Sequence, residues 1–569
     1  MSASTPHPLQ VVFCWHMHQP YYKGPEKSDY HLPWVYLHGI KDYADMAAHL
    51  ENNPDAKAVV NFAPVLLEQI DDYAEQIKAW LDRGILIRDP LLAALAGPGL
   101  PVDIESRKTI IAACLRANEN RLIHRFKHYG ELASLAKHAL ENQAMIPYLN
   151  DQFLIDLLIW YHLAWMGECA RINDLRVRSL QAKGHGYDID DRRRLVELIW
   201  EHLSSLTSRY RTLAKDGQVE LSVTPYAHPI VPLLIDLDSA KEALPEIGMP
   251  QLEAYPGGEA RARWHIRKGI DVFKKHFGFR PLGCWPSEGA VSEATIKMLE
   301  EEGFKWAASG QQVLSNSLMA LGGDSHLPEN WVHSAYRLQE GRLNMYFRDD
   351  GLSDLIGFTY GEWHADDAVG DLINHLVNIA EANKDNPQAV VSIIMDGENA
   401  WEYYPNNGSY FLHAMYERIA EHPRLQLTTF SEIQKRHKKL SPKLSRLVAG
   451  SWVYGTFTTW IGDKDKNRAW DMLGQAKQDY DQILQRKSFS EEQLSELEKQ
   501  LAICEGSDWF WWFGDYNPGA TVSDFERLFR LQLSHLYELL EEPQPDYLKQ
   551  VFAVGSGDPS LGGVMIKND

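Results

Sequence analysis

Short apolar runs rich in β-branched and aromatic residues recur along most of this chain, separated by amphipathic helical stretches, and that alternation constrains the fold more than any other feature. The runs are Leu9–Cys14, Ala58–Phe62, Val219–Val223, Leu282–Trp285, Lys305–Ser309, Leu343–Phe347, Val390–Met395 and Gln426–Phe430. Several are continuously apolar, as expected of strands covered on both faces. Helical periodicity intervenes, for example in Gly258–His276, Ser292–Glu302 and Asp366–Asn383. Strand–helix alternation on this scale predicts a parallel α/β sheet, most economically a barrel. Two regions depart from it. Residues from about 65 to 215 carry long amphipathic patterns with almost no strand signal and read as a helical insertion. From about 440 onward helices dominate again, at Asn467–Gln485, Ser490–Ile503 and Thr521–Leu540, with a small strand expected around Tyr547–Val554. A chain of 569 residues exceeds what one hydrophobic core usually organises. The expected division is a catalytic barrel with its insertion over 1–435 and a mainly α-helical C-terminal domain over 436–569.

Composition removes several classes of function. Hydrophobic residues at 44% and charged residues at 24% fit a folded soluble chain. A net charge of −21 repels phosphate backbones and anionic lipid, so neither nucleic acid nor a membrane surface is an expected partner. Five cysteines without a CxxC pair fit reduced thiols and give no zinc-finger spacing. The N-terminus lacks the basic region of a secretory signal, and the most apolar stretch, Met145–Met166, is broken by Asn150, Asp151 and Asp156. A cytoplasmic location is expected. Aromatic residues reach 11% with 18 Trp, and flat amphipathic rings are what stacks on sugar faces.

Reactive side chains gather just after the predicted strands, where barrel enzymes place their sites. The first strand runs into His16-Met17-His18-Gln19-Pro20. Both imidazoles project to one side, as metal ligands or as hydrogen-bonding groups of a polar pocket, and no third ligand follows nearby. In Thr224–Pro229, two prolines fix a turn from which His228 projects as a donor to a ligand or as a structural group. In Gly283–Gly289, Glu288 follows a strand beside Trp285, as a rigidly held nucleophile would, or as part of the N-cap region of the next helix. Arg348-Asp349-Asp350 places two carboxylates behind a cation, so that one can stay ionised while the other keeps a proton; a plain Asp-Gly turn is the alternative. Asp396, Glu398, Trp401, Glu402, Tyr403 and Tyr404 read as a sugar-binding rim. Acids converging at several strand ends among Trp and Tyr point to glycoside hydrolysis.

In order and spacing, His16–Pro20, Val219–Pro229, Gly283–Glu288, Phe347–Phe358 and Met395–Tyr404 resemble the five sequence regions of glycoside hydrolase family 57, most nearly its α-amylase/amylopullulanase-like members. The resemblance implies an incomplete (β/α)7 barrel followed by a helical domain, acting with retention on α-glucans. It makes Glu288 the nucleophile and Asp349 the general acid/base, with Asp350 selected if the alignment shifts by one residue. It assigns His16, His18, Gln19, His228, Trp285, Asp396 and Glu398 to the sugar sites, and Trp452 and Trp460 to C-terminal aromatics that complete the cleft. No redox or nucleotide cofactor is implied and no metal ligand is assigned; the surplus of acids leaves calcium open, although no D-x-D-x-D-G loop occurs. The expected activity is hydrolysis of starch, glycogen or maltooligosaccharides. A 4-α-glucanotransferase or branching enzyme would use the same carboxylates. A metal-dependent barrel hydrolase using His16 and His18, or a non-catalytic glycan-binding protein, are the other readings.

Overall fold

A computed structural model describes residues 7–24, 30–320, 330–436 and 441–557. Seven parallel strands follow the apolar runs: β1 (Leu9–Met17), β2 (Ala58–Phe62), β3 (Val219–Val223), β4 (Gly283–Cys284), β5 (Trp306–Ser309), β6 (Asn344–Phe347) and β7 (Val390–Asp396). They lie in the order β6-β5-β4-β3-β2-β1-β7. A single parallel bridge between Arg348 and Ser392 joins the outer two, with the Asp349 amide donating to the Ser392 carbonyl at 2.8 Å. This is the incomplete seven-stranded barrel. The eighth run yields a short β8 (Leu425–Leu427) beside the first residues of β1.

Every residue of β1 and β2 is buried, which explains the continuous apolar runs: one set of side chains faces the lumen and the other the surrounding helices. The luminal set forms its own cluster, including Val12, Cys14, Val59, Trp285, Trp306, Ala308, Tyr346 and Ile394. Phe430, opening the helix Phe430–Arg436, closes the foot of the lumen, stacking on Tyr346 at 4.2 Å and against Trp306 at 4.6 Å. Gly283 is required there, because a Cβ would meet the Trp306 indole at 1.8 Å. Alternation along the strands then fixes what the lumen carries at its upper end. His16 follows Val12 and Cys14, Asp396 follows Ile394, and Arg348 follows Tyr346.

Between β2 and β3 the described chain is entirely helical, from Pro64–Arg83 to the long helix Ile189–Lys215, which starts with a capping box at Asp188 and Asp191. The C-terminal region contributes Lys464–Arg486, Glu491–Cys504, Asp508–Trp512 and Gly519–Leu539. The expected strand at Tyr547–Val554 does not form. Asp546–Lys549 is a 3-10 turn after Pro545, and residues 550–556 form no strand. No helix among the described residues is long and apolar enough to cross a membrane.

Candidate active site

Glu288 stands on a tight turn directly after β4, held in a left-handed conformation at φ 56° with Gly289 beside it at φ 58°. A non-glycine residue in that region costs energy and persists only where its surroundings hold it. Here the hold comes from a loop more than 160 residues later in the chain. The Trp452 amide donates to the Glu288 carbonyl at 3.0 Å and the Trp452 Nε1–H donates to Glu288 Oε2 at 3.0 Å. Val291 and Gly450 add an antiparallel bridge. His228, likewise at φ 58°, approaches Glu288 Oε1 to 3.7 Å from the other side.

Three imidazoles pack beside this carboxylate with nearly parallel rings. His16 and His228 bring their Nε2 atoms within 3.1 Å, and His18 stacks on His228 with centroids 3.8 Å apart. Each outer nitrogen has a partner: Asn61 Oδ1 for His16 at 2.7 Å, Asp508 Oδ1 for His18 at 2.8 Å, and Ser507 Oγ for His228 at 2.9 Å. Burial, reinforced by the neighbouring His18, holds His16 down to about 3 and His228 well below the usual imidazole range. These two rings are therefore neutral across ordinary working pH. One ring nitrogen from each of the three lies within 4.8 Å of the others, the one such group among the described residues that could hold a metal ion.

The cleft beside Glu288 is lined by His16, His18, Gln19, Asp396, Glu398 and Trp452, all expected from the sequence. His228 lies just behind its wall, 1% exposed. Asp396 accepts from Asn399 Nδ2 at 2.7 Å, and burial raises its carboxyl to about 6. Burial, and then the charges of Asp396 and Asp508, push Glu288 well above the usual carboxylate range, opposed by the Trp452 bond. Burial likewise raises Glu398.

Three expectations are corrected. Trp285 is wholly buried in the lumen, where it meets the Trp452 ring edge-on at 5.2 Å and offers no face to a sugar. Trp401 donates to the Gly397 carbonyl and packs among Trp15, Tyr404 and Phe411, so it belongs to the core beneath the rim. Trp460, also fully buried, supports Trp511 at 5.9 Å. Asp349, which caps the short helix Asp350–Asp354, does not line the cleft beside Glu288, and neither does Asp350. The two Asp349 oxygens are taken by the Leu352 amide and by His333 Nε2 at 3.0 Å, and His333 is tied through its carbonyl to the amide of Val390 at the foot of β7. Asp350 falls on the Arg348 side. One of its oxygens meets Arg348 Nη1 at 2.7 Å and the other is buried without a hydrogen-bond partner, while Arg348 also pairs with Asp354 and covers the Trp452 ring.

Sequence reasoning missed Asp508, Trp511 and Trp512, which the C-terminal helix Asp508–Trp512 brings to the cleft, and Asn61 and Ser507, which orient the imidazoles. The run Asp508-Trp509-Phe510-Trp511-Trp512 was the available signal, an acid followed by four aromatics.

Three comparisons bear on this arrangement. No curated protein matches the sequence. Among solved structures, the chain is similar to branching enzymes from Thermococcus kodakaraensis (TM-score 0.53, 14% identity, 93% of this chain and 90% of that one) and Pyrococcus horikoshii (0.54, 15%, 95% and 96%). It is also similar to the α-amylase AmyC from Thermotoga maritima (0.51, 14%, 96% of each chain). At such identities the likeness speaks to the fold alone. The model of glycosyl hydrolase family 57 matches residues 12–443, the whole barrel with its insertion, and the chain therefore belongs to that family.

Proposed function

We propose that this protein hydrolyses α-glucans with retention of configuration, by double displacement through a covalent glycosyl-enzyme. Glu288 attacks the anomeric carbon while a carboxylic acid protonates the departing glycosidic oxygen. The conjugate base of that acid then activates the water that releases the sugar. What carries the reading is Glu288, held in a strained turn at the strand ends and bonded by Trp452, in a chain of this family. His18, whose buried Nδ1 has no hydrogen-bond partner, supplies hydrogen bonds to sugar hydroxyls together with Gln19 and Glu398. The acid/base falls to Asp350. In its favour are its position on the luminal side with Arg348, its unpartnered buried oxygen, and burial that raises its pKa so that it can keep a proton. Contacts run from Glu288 through Trp452 and Arg348 to Asp350. A retaining reaction requires the two carboxyls to lie about 5–5.5 Å apart.

The test is incubation with maltooligosaccharides, amylopectin and pullulan, followed by chromatography and a reducing-end assay. Shorter products with new reducing ends are expected. Longer or branched products without new reducing ends would assign transfer to a sugar hydroxyl instead, and no change in any substrate would overturn the α-glucan reading.

A further inference from the structure

Glu505, the C-cap of the helix Glu491–Cys504, is 1% exposed and takes no part in the scheme above. Three side chains donate to its two oxygens: the Tyr255 hydroxyl at 2.6 Å, Arg261 through Nε at 2.9 Å and Nη2 at 2.8 Å, and His265 Nε2 at 2.7 Å. Burial raises the Glu505 pKa, but the Arg261 charge and the His265 bond outweigh it and hold the carboxyl down to about 2, so the group is ionised. Arg261 and His265 belong to the barrel helix Gly258–Phe277. The cluster therefore joins the C-terminal region to the barrel.

Both arms of this cluster reach the turn that carries His228. An ionised carboxylate only accepts, so His265 holds its proton on Nε2, and burial, which lowers its pKa, keeps the ring neutral. Its Nδ1 is then a bare acceptor and takes the Ala227 amide at 3.3 Å. In the other arm the chain leaves Glu505 through Gly506, where a Cβ would meet the Ala227 carbonyl at 2.9 Å. Ser507 follows. Its amide donates to the His228 carbonyl at 2.9 Å, and its Oγ lies 2.9 Å from His228 Nδ1. His228, at φ 58°, keeps a conformation that persists only where its surroundings impose it. It also touches three groups of the site: its Nε2 lies 3.1 Å from that of His16, its ring stacks on His18, and its Nδ1 is 3.7 Å from Glu288.

We propose that Glu505 is a positioning residue for the active site: through His265 and Ser507 it clamps the strained His228 turn, and thereby sets where His16 and His18 stand against Glu288. The clamp is a property of the fold, and only the kinetic half of its test rests on the α-glucan reading.

The test pairs backbone hydrogen exchange over residues 224–229, read by mass spectrometry, with kcat on maltoheptaose. The variants are Glu505→Ala, His265→Leu, His265→Asn and Tyr255→Phe, assayed where circular dichroism shows the wild-type fold. In Glu505→Ala and His265→Leu the Ala227 segment should exchange about 5- to 150-fold faster, the equivalent of 1–3 kcal/mol for a buried donor left unpaired. Their kcat should fall by about 5- to 100-fold, since a misplacement of about 1 Å at a site can cost about 10²-fold. His265→Asn offers an amide oxygen near the place of Nδ1 and should restore both readouts to within about threefold of wild type. Tyr255→Phe removes one bond to Glu505 but leaves His265 and Ser507 in place, so it should lower the melting temperature and move neither readout. Wild-type kcat in a folded Glu505→Ala or in His265→Leu, with or without faster exchange, would overturn the proposal. So would an Asn variant as impaired as the Leu variant, or a Tyr255→Phe variant impaired to the same degree, because either makes the cluster a source of stability alone. If Glu505→Ala does not fold, the two His265 variants decide, with the Arg261 pair intact. If no maltooligosaccharide is turned over, the reaction assignment fails separately and the exchange pattern decides this proposal.

Discussion

Replacing Trp452 by phenylalanine isolates one interaction at the proposed nucleophile. The ring and its packing on Trp285 remain, and only the Nε1–H donor to Glu288 Oε2 is lost. That bond stabilises the ionised carboxylate against burial and against the charges of Asp396 and Asp508, which all act to raise its pKa. A hydrogen bond to a charged group is worth about 1.5–3 kcal/mol. At 1.36 kcal/mol per pH unit, its loss lifts the Glu288 pKa by about 1–2 units. Because the nucleophile must be deprotonated in the free enzyme, its pKa sets the acidic limb of kcat/KM against pH. The limb should move to higher pH by that amount, so the ratio of variant to wild-type activity rises as pH rises. The measurement is a full pH profile of kcat/KM on one maltooligosaccharide, with the basic limb as an internal reference. An acidic limb that stays in place, or shifts downward, would falsify the assignment of that limb to Glu288.

The remaining expectations concern single residues. Trp285→Ala should cost about 3–5 kcal/mol of stability in denaturant unfolding, as for any core aromatic, and a variant of wild-type stability with weakened substrate binding would reverse the correction made above. Asp350→Asn should lower turnover of ordinary glucans by about 10²–10⁴-fold and spare substrates whose leaving group needs no proton, whereas Asp349→Asn should not show this leaving-group dependence. If the pattern appears only in Asp349→Asn or only in Asp396→Asn, that residue is the acid. Glu288→Gly should be inactive yet form a β-glycosyl azide when azide is supplied; an α product would remove Glu288 from the nucleophile's role.

The barrel was legible because covered strands must be continuously apolar, and the runs from Leu9 to Met395 coincide with the seven strands to within a few residues. The strand ends were legible for the same reason, which is why His16, His18, Glu288 and Asp396 meet in one cleft. Side-chain direction was less accessible. Asp349 and Asp350 lie beyond the end of β6, at the cap and first turn of a short helix, so strand alternation could not choose between them. Trp285 and Trp452 are chemically identical, and only their packing distinguishes a core ring from a cleft ring. The third imidazole and the acid that orients His18 lie 210 and 490 residues beyond His18, so no local pattern could join them to it.

The attachment of the Trp452 loop to the Glu288 turn carries a consequence for synthesis of the protein. Chains emerge N-terminus first at about 5–20 residues per second, and units fold as they appear. A nascent chain that has reached residue 443, where the family match ends, already contains every barrel strand and Glu288. It still lacks Trp452, Ser507 and Asp508, which bond the nucleophile and orient two of its three imidazoles. On the proposed mechanism, such a barrel holds the nucleophile without the groups that fix and orient it, so activity is expected only once the helix Asp508–Trp512 has been made and docked.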